Sequence, residues 1–523
     1  MESLKKIETQ LHDFLLKNYK NLSSYKNSYG LTFTSLCLKE TPEAIDFCMQ
    51  EYQKLDFTSK NFHHEFNNYA LIHLVTTFKH SQYTPLISSL SYSKNTTTNW
   101  TLLRLLCKYK MNPQKGIIES VFDILQERQT PEGCIQDTPW DTSLQYHCFS
   151  NALLGELYEL TKNERFLKYF LSWVNFIQNF ILPNWQSLYI GRGQEQIFWY
   201  GSLIYILSLA FSLTQDESYL SSLSKVKEYV SSFIRVDGSI PLVLRKEETS
   251  IPTSINLNNK FLWWYNYNNY YDYFPFLLYY IQKSNLLLQE IKMSDGVGQE
   301  KDFQDSNVQI VHKKNYISVI SKPLGAIYNC IPLPLIFSKE KNILVTPFYG
   351  GEQYGTSLYK KASLPLPYGK VWIMQIGYFQ SLKDKVKYFI GNTQDTLYFF
   401  HDTLKYSITS QGLLWENEYF SHKRDIHYWE NEIYIQDTIL FKKDVRFQRF
   451  FGFCFLSKEI IQLGKNKYTI DAGTIEIEWD VEILFDEEIF YNALSPLKRI
   501  YACEKNIKKK AWEIYSVKYT IKI

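Results

Sequence analysis

The segment from Leu286 to Asn307, LLLQEIKMSDGVGQEKDFQDSN, separates two parts of this 523-residue chain that differ in residue pattern. The segment is polar and contains two glycines, so it is predicted to be a linker. Before it, apolar residues recur at helical spacing; after it, short segments are β-branched or alternate apolar with polar residues. We therefore predict two domains, a helical one at residues 1–290 and a strand-rich one at residues 308–523.

Helical segments separated by turns are predicted along the first part: Ile117–Gln129, Leu144–Leu160, Glu164–Phe180, Gln196–Leu213 and Glu217–Ile234. Two similar turn sequences, PEGCI at residues 131–135 and VDGSI at residues 236–240, follow such segments. They lie 105 residues apart, which equals about two helical hairpins of roughly 50 residues each. This period predicts an α/α toroid, an incomplete barrel of helical hairpins.

Short strands are predicted in the second part at residues 316–320, 342–345, 371–376, 432–435 and 474–478. Strands in series without intervening helices indicate an antiparallel β-sandwich. The predicted fold class is thus α+β and multidomain, with an N-terminal α/α toroid followed by a C-terminal antiparallel β-sandwich.

Composition and charge argue against several classes of protein. Hydrophobic residues make up 45% of the chain, which is typical of a globular protein. Its 57 basic and 54 acidic residues leave a net charge of only +3, so a nucleic acid partner is not expected. The N-terminal residues Leu4, Ile7, Leu11, Phe14 and Leu15 form a helical stripe unlike a signal peptide, which predicts a cytoplasmic protein unless export is non-classical. The longest apolar stretches are too short to predict a membrane span. Eight cysteines without a CxxC pair predict no zinc site, and no metal or cofactor is expected.

Polar clusters in the helical part supply the candidate site residues. Asn68 and His73 lie in the first, HHEFNNYALIH at residues 63–73, where a structural role is also open. Asn99 and Trp100 end the second, NTTTNW at residues 95–100, which also has the composition of a helix cap.

Two further clusters begin predicted helices. Gln145, Tyr146 and His147 follow the loop that contains Gly133. In YIGRGQEQIFWY, residues 189–200, two glycines flank Arg192, a geometry that presents a guanidinium and backbone N–H groups to an anion such as a carboxylate. Gln196 and Tyr200 belong to the same cluster.

The stretch WWYNYNNYYDY at residues 263–273 combines aromatic rings with amides. Rings stack on the CH faces of sugars while amides pair with their hydroxyl groups, so Trp263, Trp264 and Tyr267 are candidates for binding a glycan. A structural aromatic belt is the alternative.

The two-part organisation resembles polysaccharide lyases that join an α/α toroid to a β-sandwich, of the heparinase II/III-like and chondroitin AC or alginate lyase types. The closest local likeness is Glu132-Gly133 followed by SLQYH at residues 143–147, similar to the family's glycine-containing loop and its helix that begins with a serine and a Tyr-His pair.

The resemblance implies β-elimination on a uronate-containing glycan. In such enzymes a neutralised carboxylate makes the C5 proton removable, and a tyrosine acts as acid and often also as base. By matching position, Tyr146 would be the acid/base, and His147 or His73 would assist proton removal. Asn68 or Asn99, with Arg192, would neutralise the carboxylate.

The chain departs from the family in two respects, and other functions remain open. The sandwich lacks the His-Asn-Thr context of heparinase-like members, for which residues 401–403 and 421–425 are only loose substitutes, and no export signal is visible. A uronyl C5-epimerase and a non-catalytic glycan-binding or assembly protein are the alternatives. A glycoside hydrolase would need two facing carboxyl groups, for which Asp141, Glu195 and Asp272 are available. The oligomeric state stays open.

Overall fold

A computed structural model shows a mixed α+β protein. It describes residues 4–24, 29–58, 62–88, 92–138, 143–187, 196–242, 244, 270–288, 302–305, 307–322, 331–345, 405–416, 420–443, 445–457, 459–471, 473–478, 482–491 and 495–523. The chain divides into two compact units, Met1–Gly298 and Gln299–Ile523.

The described part of the first unit is helical. Its α-helices are α1 (Leu4–Asn18), α2 (Gly30–Cys37), α3 (Pro42–Gln53), α4 (His64–Thr76), α5 (Thr84–Ser88), α6 (Thr98–Met111), α7 (Lys115–Arg128), α8 (Leu144–Thr161), α9 (Glu164–Gln178), α10 (Ile197–Thr214), α11 (Glu217–Ser231) and α12 (Tyr270–Leu287). The five predicted helical segments are confirmed as α7 to α11, and the N-terminal stripe is buried along α1.

Six of these helices pack in a continuous series. Helices α2, α4, α6, α8, α10 and α12 each contact the next, and α12 returns to contact α2. The others pack on the outside of the series: α3 on α2, α5 on α4, α7 on α6, α9 on α8 and α10, α11 on α10, and α1 on α12. Every residue of α2 is buried, whereas α7 buries only Val121, Phe122 and Leu125. A helix inside the core is surrounded on all sides, but a helix on the outside buries only the apolar stripe that faces the core.

Helix α10 contains no charged residue and is long and apolar enough to cross a membrane, with a mean hydropathy of 1.6 over 18 residues. However, 83% of it is buried inside the protein. Its contacts with α8, α11 and α12 account for its composition as that of a core helix.

The helical hairpins repeat at about 50-residue intervals, as the sequence predicts. After α7, α9 and α11 the chain makes the same turn, in which the N–H groups of Thr130, Leu182 and Arg235 bond the carbonyls four residues later. The left-handed position of this turn is glycine in the first and third copies, at Gly133 and Gly238. In the middle copy it is Trp185, with φ of 70°, which hides that copy from sequence inspection.

Gly238 is expected to tolerate no side chain. Its φ is +85°, and an added Cβ would lie 2.3 Å from the carbonyl oxygen of Gln10 in α1. We expect Gly238→Ala to lower the free energy of unfolding by about 1–3 kcal/mol from backbone strain alone. Gly116→Ala is the matched control, since no atom lies within 4 Å of its added Cβ and alanine favours the helix. Urea unfolding that ranks the two variants equally would contradict this expectation.

The described part of the second unit consists of β-strands: β1 (Phe303–Gln304), β2 (Val308–His312), β3 (Tyr316–Ser321), β4 (Ile331–Ser338), β5 (Ile343–Val345), β6 (Lys405–Thr409), β7 (Gly412–Glu416), β8 (Phe420–Tyr428), β9 (Glu432–Phe441), β10 (Val445–Ser457), β11 (Ile461–Gly464), β12 (Lys467–Ile470), β13 (Gly473–Ile477), β14 (Glu482–Tyr491), β15 (Ser495–Lys509) and β16 (Ile514–Lys522). Four of the five predicted strands are confirmed as β3, β5, β9 and β13; the fifth, at residues 371–376, lies outside the described residues.

These strands form antiparallel sheets with the orders β1-β2-β3-β4-β5, β10-β15-β14 and β11-β12-β13-β16-β9-β8-β7-β6. One face of the eight-stranded sheet is buried, as the alternation along β9 shows. Three charged or polar side chains are buried together on this face. Arg424 donates two hydrogen bonds to the Asp437 carboxylate, at 2.6 and 2.7 Å. Asp437 also contacts His422 Nε2 at 3.0 Å. Burial would raise the pKa of Asp437, but Arg424 and His422 outweigh it and hold the pKa at about 2.

Candidate functional site

The first turns of the core helices meet at one face of the helical unit. Aromatic rings link them in sequence: Tyr29 stacks on Phe66 at 4.6 Å, Phe66 on Phe149 at 5.3 Å, Phe149 contacts Phe198 at 5.3 Å, and Phe198 stacks on Phe276 at 4.2 Å. These residues lie at or near the starts of α2, α4, α8, α10 and α12, so the core helices run in the same direction. We call this side the N-terminal face; the positive ends of several helix dipoles converge there, which favours an anionic ligand.

Tyr146 lies on this face, in the first turn of α8. Its side chain is half-buried, and its ring lies 6.5 Å from that of Phe198 at the start of α10. The neighbouring residues Gln145 and His147 are buried, so Tyr146 is the accessible side chain of this turn.

A pair of buried amides joins the starts of α8 and α10. Gln145 Nε2 donates to Gln196 Oε1 at 3.3 Å, and both side chains are almost fully buried. Gln145 Oε1 and Gln196 Nε2 have no hydrogen-bond partner within the described part of the chain. Each buried unpaired polar atom costs about 1–3 kcal/mol. A ligand with hydroxyl or carboxylate groups is one way to satisfy them.

The start of α6 contributes an indole beside an imidazole. Trp100 is half-buried, and its ring centroid lies 5.1 Å from that of His63, which directly precedes α4. His63 is also half-buried, and its carbonyl oxygen accepts hydrogen bonds from the backbone and side-chain N–H groups of Asn67, which fix its position. His63 belongs to the polar cluster at residues 63–73, in which Asn68 and His73 were the predicted site residues.

Asn68, Asn99 and Tyr200 are buried near the starts of their helices. Asn99 Nδ2 donates to Asp137 Oδ1 at 2.9 Å, an interaction that ties α6 to the loop before α8. The Tyr200 hydroxyl accepts from the Ser187 N–H at 3.1 Å. Asn68, in the second turn of α4, is 2% exposed.

His147 is sealed in the interior beneath Tyr146. Its Nδ1 accepts from the Ile135 N–H at 3.1 Å, its Nε2 lies 3.1 Å from the Trp173 carbonyl oxygen, and burial lowers its pKa to about 4. Both ring nitrogens therefore join α8 to the preceding turn and to α9. In this setting the imidazole has no remaining nitrogen to offer a substrate.

His73 lies elsewhere, at the C-terminal ends of the core helices. It belongs to a buried group that we call the Glu156 cluster: Glu156 of α8, Lys110 of α6, Lys283 of α12, and His73 and Tyr69 of α4. Glu156 lies 2.8 Å from Lys283 Nζ, 3.4 Å from Lys110 Nζ and 3.5 Å from His73 Nε2, and it accepts from the Tyr69 hydroxyl at 2.6 Å. The structure thus separates His73 from Tyr146 by most of the length of the core helices.

Burial and charge oppose one another at the Glu156 cluster. Burial would raise the pKa of Glu156, but Lys283 and Lys110 outweigh it and hold the pKa well below its usual range. Burial, with help from Lys110, lowers the pKa of His73 to about 3, so this imidazole is neutral. The cluster is therefore a charged link among four core helices.

Several predicted site residues lie outside the described residues: Arg192, Trp263, Trp264 and Tyr267, with the carboxyl residues Asp141 and Glu195. Asp272 is described, in the first turn of α12. Its Oδ1 accepts from the N–H groups of Tyr29 at 2.8 Å and Gly30 at 2.6 Å. This carboxylate caps α2 across the closure of the helical series.

Comparison with known proteins finds likeness in structure only. No family model matches the sequence, and no curated protein matches it. Among solved structures, the chondroitin AC lyase of Streptomyces coelicolor is similar over 98% of this chain and 79% of its own, with 8% identity and a TM-score of 0.51. A heparinase III is similar over 100% of this chain and 85% of its own, with 10% identity and a TM-score of 0.47. The first likeness indicates a shared fold and no more.

Proposed function

We propose that this chain is a polysaccharide lyase that cleaves a uronate-containing glycan by β-elimination, built as an α/α toroid followed by an antiparallel β-sandwich. The toroid assignment is supported by the series of six helices in which α12 contacts α2. The sandwich assignment is supported by the antiparallel sheets and by the buried face of the largest one. The fold shared with a chondroitin AC lyase agrees with both.

The observation that carries the proposal is the position of Tyr146. It is an accessible phenol on the face where helix N-termini converge, one residue from a buried amide with an unpaired oxygen. A phenol has an ordinary pKa of about 10 and becomes a base near neutral pH only where positive potential favours the phenolate. Helix N-termini supply such potential and also attract the uronate carboxylate.

Each step of the elimination then has a group to perform it. The N-terminal face and an amide N–H of the Gln145–Gln196 pair stabilise the carboxylate as charge develops on it, which acidifies the C5 proton. Tyr146 removes that proton as the phenolate. The C4–O4 bond breaks, and the leaving oxygen takes a proton from the Tyr146 hydroxyl, which leaves a 4,5-unsaturated uronate and restores the phenolate. Arg192 is proposed to assist at the carboxylate.

For the glycoside hydrolase alternative, Asp272 is a poor candidate for a catalytic carboxyl group. Asp272 Oδ1 is occupied by two backbone N–H groups as a helix cap, so this residue has a structural use already.

The proposal is tested by incubating the purified protein with alginate, polygalacturonate, hyaluronan, chondroitin and heparan sulfate while ultraviolet absorbance of the unsaturated product is recorded. An increase in absorbance on any of these substrates supports the lyase. If none rises, the same mixtures in D₂O distinguish the alternatives, because a C5-epimerase incorporates deuterium at C5 and a binding protein does not. Either of those results would replace the proposed lyase function.

His63 is expected to contribute to substrate binding beside Trp100. We expect His63→Ala to raise KM about tenfold with a smaller change in kcat, because its ring packs beside Trp100 on the N-terminal face, whereas Tyr146 is the proposed proton-transfer group. The matched control is His64→Ala, the adjacent half-buried histidine, whose ring packs on Phe62 at 4.7 Å. Equal KM values for the two variants would remove His63 from the site.

A further inference from the structure

Three aromatic rings are grouped on the outward face of the eight-stranded sheet. His427 and Trp429 stack with ring centroids 6.2 Å apart and an interplanar angle of 19°. Tyr434 lies 5.9 Å from His427 and 6.1 Å from Trp429. His427 is exposed, and Trp429 is 49% exposed. We call these three residues the Trp429 platform.

The platform is held rigidly by the hairpin between β8 and β9. The Trp429 N–H donates to the Glu432 carbonyl oxygen at 3.0 Å, and the Trp429 carbonyl oxygen accepts from the Tyr316 hydroxyl at 2.7 Å. Tyr316 is fully buried on β3, in the five-stranded sheet. A preorganised surface loses little conformational entropy when a ligand binds.

Polar side chains lie on the same face of the sheet, next to the aromatic rings. Across β9 and β16, Tyr434 pairs with Thr520, and Gln436 pairs with Lys518. Directly paired residues point to the same side of a sheet, so a hydroxyl, an amide and an ammonium group lie beside the aromatic rings. Lys518 forms no ion pair within the described residues, whereas its neighbour Lys522 is bound to Glu476 at 2.8 Å.

We infer that the Trp429 platform is a glycan-binding site of the strand-rich unit and that it takes an acidic polysaccharide. Rings with exposed faces stack on the CH faces of sugars, and the neighbouring amide and hydroxyl groups pair with sugar hydroxyls. A hydrophobic protein partner would need a wider apolar area than three rings surrounded by polar groups. Asp425 lies in the same cross-strand row, but its carboxylate is bound to Lys423 at 2.8 Å, so the ammonium group of Lys518 favours an anionic chain over a neutral one.

The test measures binding of alginate, polygalacturonate, hyaluronan and neutral dextran by affinity electrophoresis of the full-length protein. All variants carry Tyr146→Phe so that the probe is not consumed. We expect Trp429→Ala to weaken binding of at least one acidic probe about tenfold or more, and Lys518→Met to weaken it in a salt-dependent manner. Trp512→Ala is the matched control, because Trp512 is 72% exposed on the turn before β16.

Loss of retention with Trp429→Ala but not with Trp512→Ala supports the site. His427→Ala is a second substitution, at an exposed residue, that tests the platform if Trp429→Ala unfolds. Equal retention of these variants and the parent on every probe, including a parent that binds none, would overturn the inference. The outcome is independent of the lyase proposal, since a protein without product absorbance still shows Trp429-dependent binding if the platform is correct.

Discussion

Tyr146→Phe is expected to reduce kcat of the proposed elimination by about 10²–10⁴-fold, the range typical of losing a general acid–base group. The substitution removes one oxygen atom and keeps the ring that faces Phe198. Because phenylalanine keeps the packing of the ring and only the hydroxyl that transfers the proton is lost, KM and the unfolding midpoint should change little. The measurement is the initial rate of ultraviolet absorbance increase on the best substrate of the panel.

Tyr158→Phe provides the matched control for that experiment. Tyr158 lies on the same helix, three turns after Tyr146, is also half-buried, and has the ammonium group of Lys162 above its ring at 5.5 Å. Its hydroxyl is far from the N-terminal face, so the variant should keep the parental rate. A Tyr146→Phe protein that retains full activity would exclude Tyr146 as the acid/base and would contradict proton transfer by its hydroxyl.

Glu156→Gln is expected to cause the largest loss of stability, about 3–5 kcal/mol in the free energy of unfolding. The amide would leave Lys110 and Lys283, whose side chains are only 9% and 19% exposed, without a counter-charge in the interior. Glu119→Gln is the control, because Glu119 forms an exposed ion pair with Arg165 at 3.6 Å, and such pairs contribute about 0–1 kcal/mol. Urea unfolding that gives similar values for both variants would contradict a structural role for the cluster.

The helical unit should become less stable in acid, and the groups responsible are Glu156, His73 and His147. The pKa of Glu156 is lowered in the folded state, so its contribution is complete above its unfolded pKa and is lost as pH falls through the folded one. The pKa values of His73 and His147 are lowered to about 3 and about 4, so below about pH 6.5 the unfolded chain binds protons that the folded chain does not. The free energy of unfolding should therefore decrease between pH 7 and pH 5, chiefly through the two histidines.

Much of the secondary structure is predictable because its causes are local. The apolar stripe of α9 is visible in Phe166, Phe170, Trp173 and Ile177, and the strand alternation of β9 is equally plain. Helix α12 is harder to predict, since Pro275 and five tyrosines obscure its helical period. The repeat of the hairpins is visible in the glycine turns but not at Trp185, because a left-handed tryptophan has no sequence signature.

The candidate site was only partly predictable, because its parts are joined by contacts between distant helices. Tyr146, Gln145 and Gln196 were predicted from local sequence, and the structure adds the hydrogen bond between the two glutamines and the aromatic links among helix starts. His147 and His73 have the residue type that catalysis needs, but one is bonded at both nitrogens and the other lies among buried charges.

By itself, the sequence determined the division into helical and strand-rich parts and the period of the helical hairpins, since periodicity and turn residues act over a few positions of the chain. Only the tertiary structure decided which histidine is accessible, that Asp272 is a helix cap, and that His427, Trp429 and Tyr434 share one exposed face. Burial, ion pairing and register depend on residues far apart in the chain, and no local pattern encodes them.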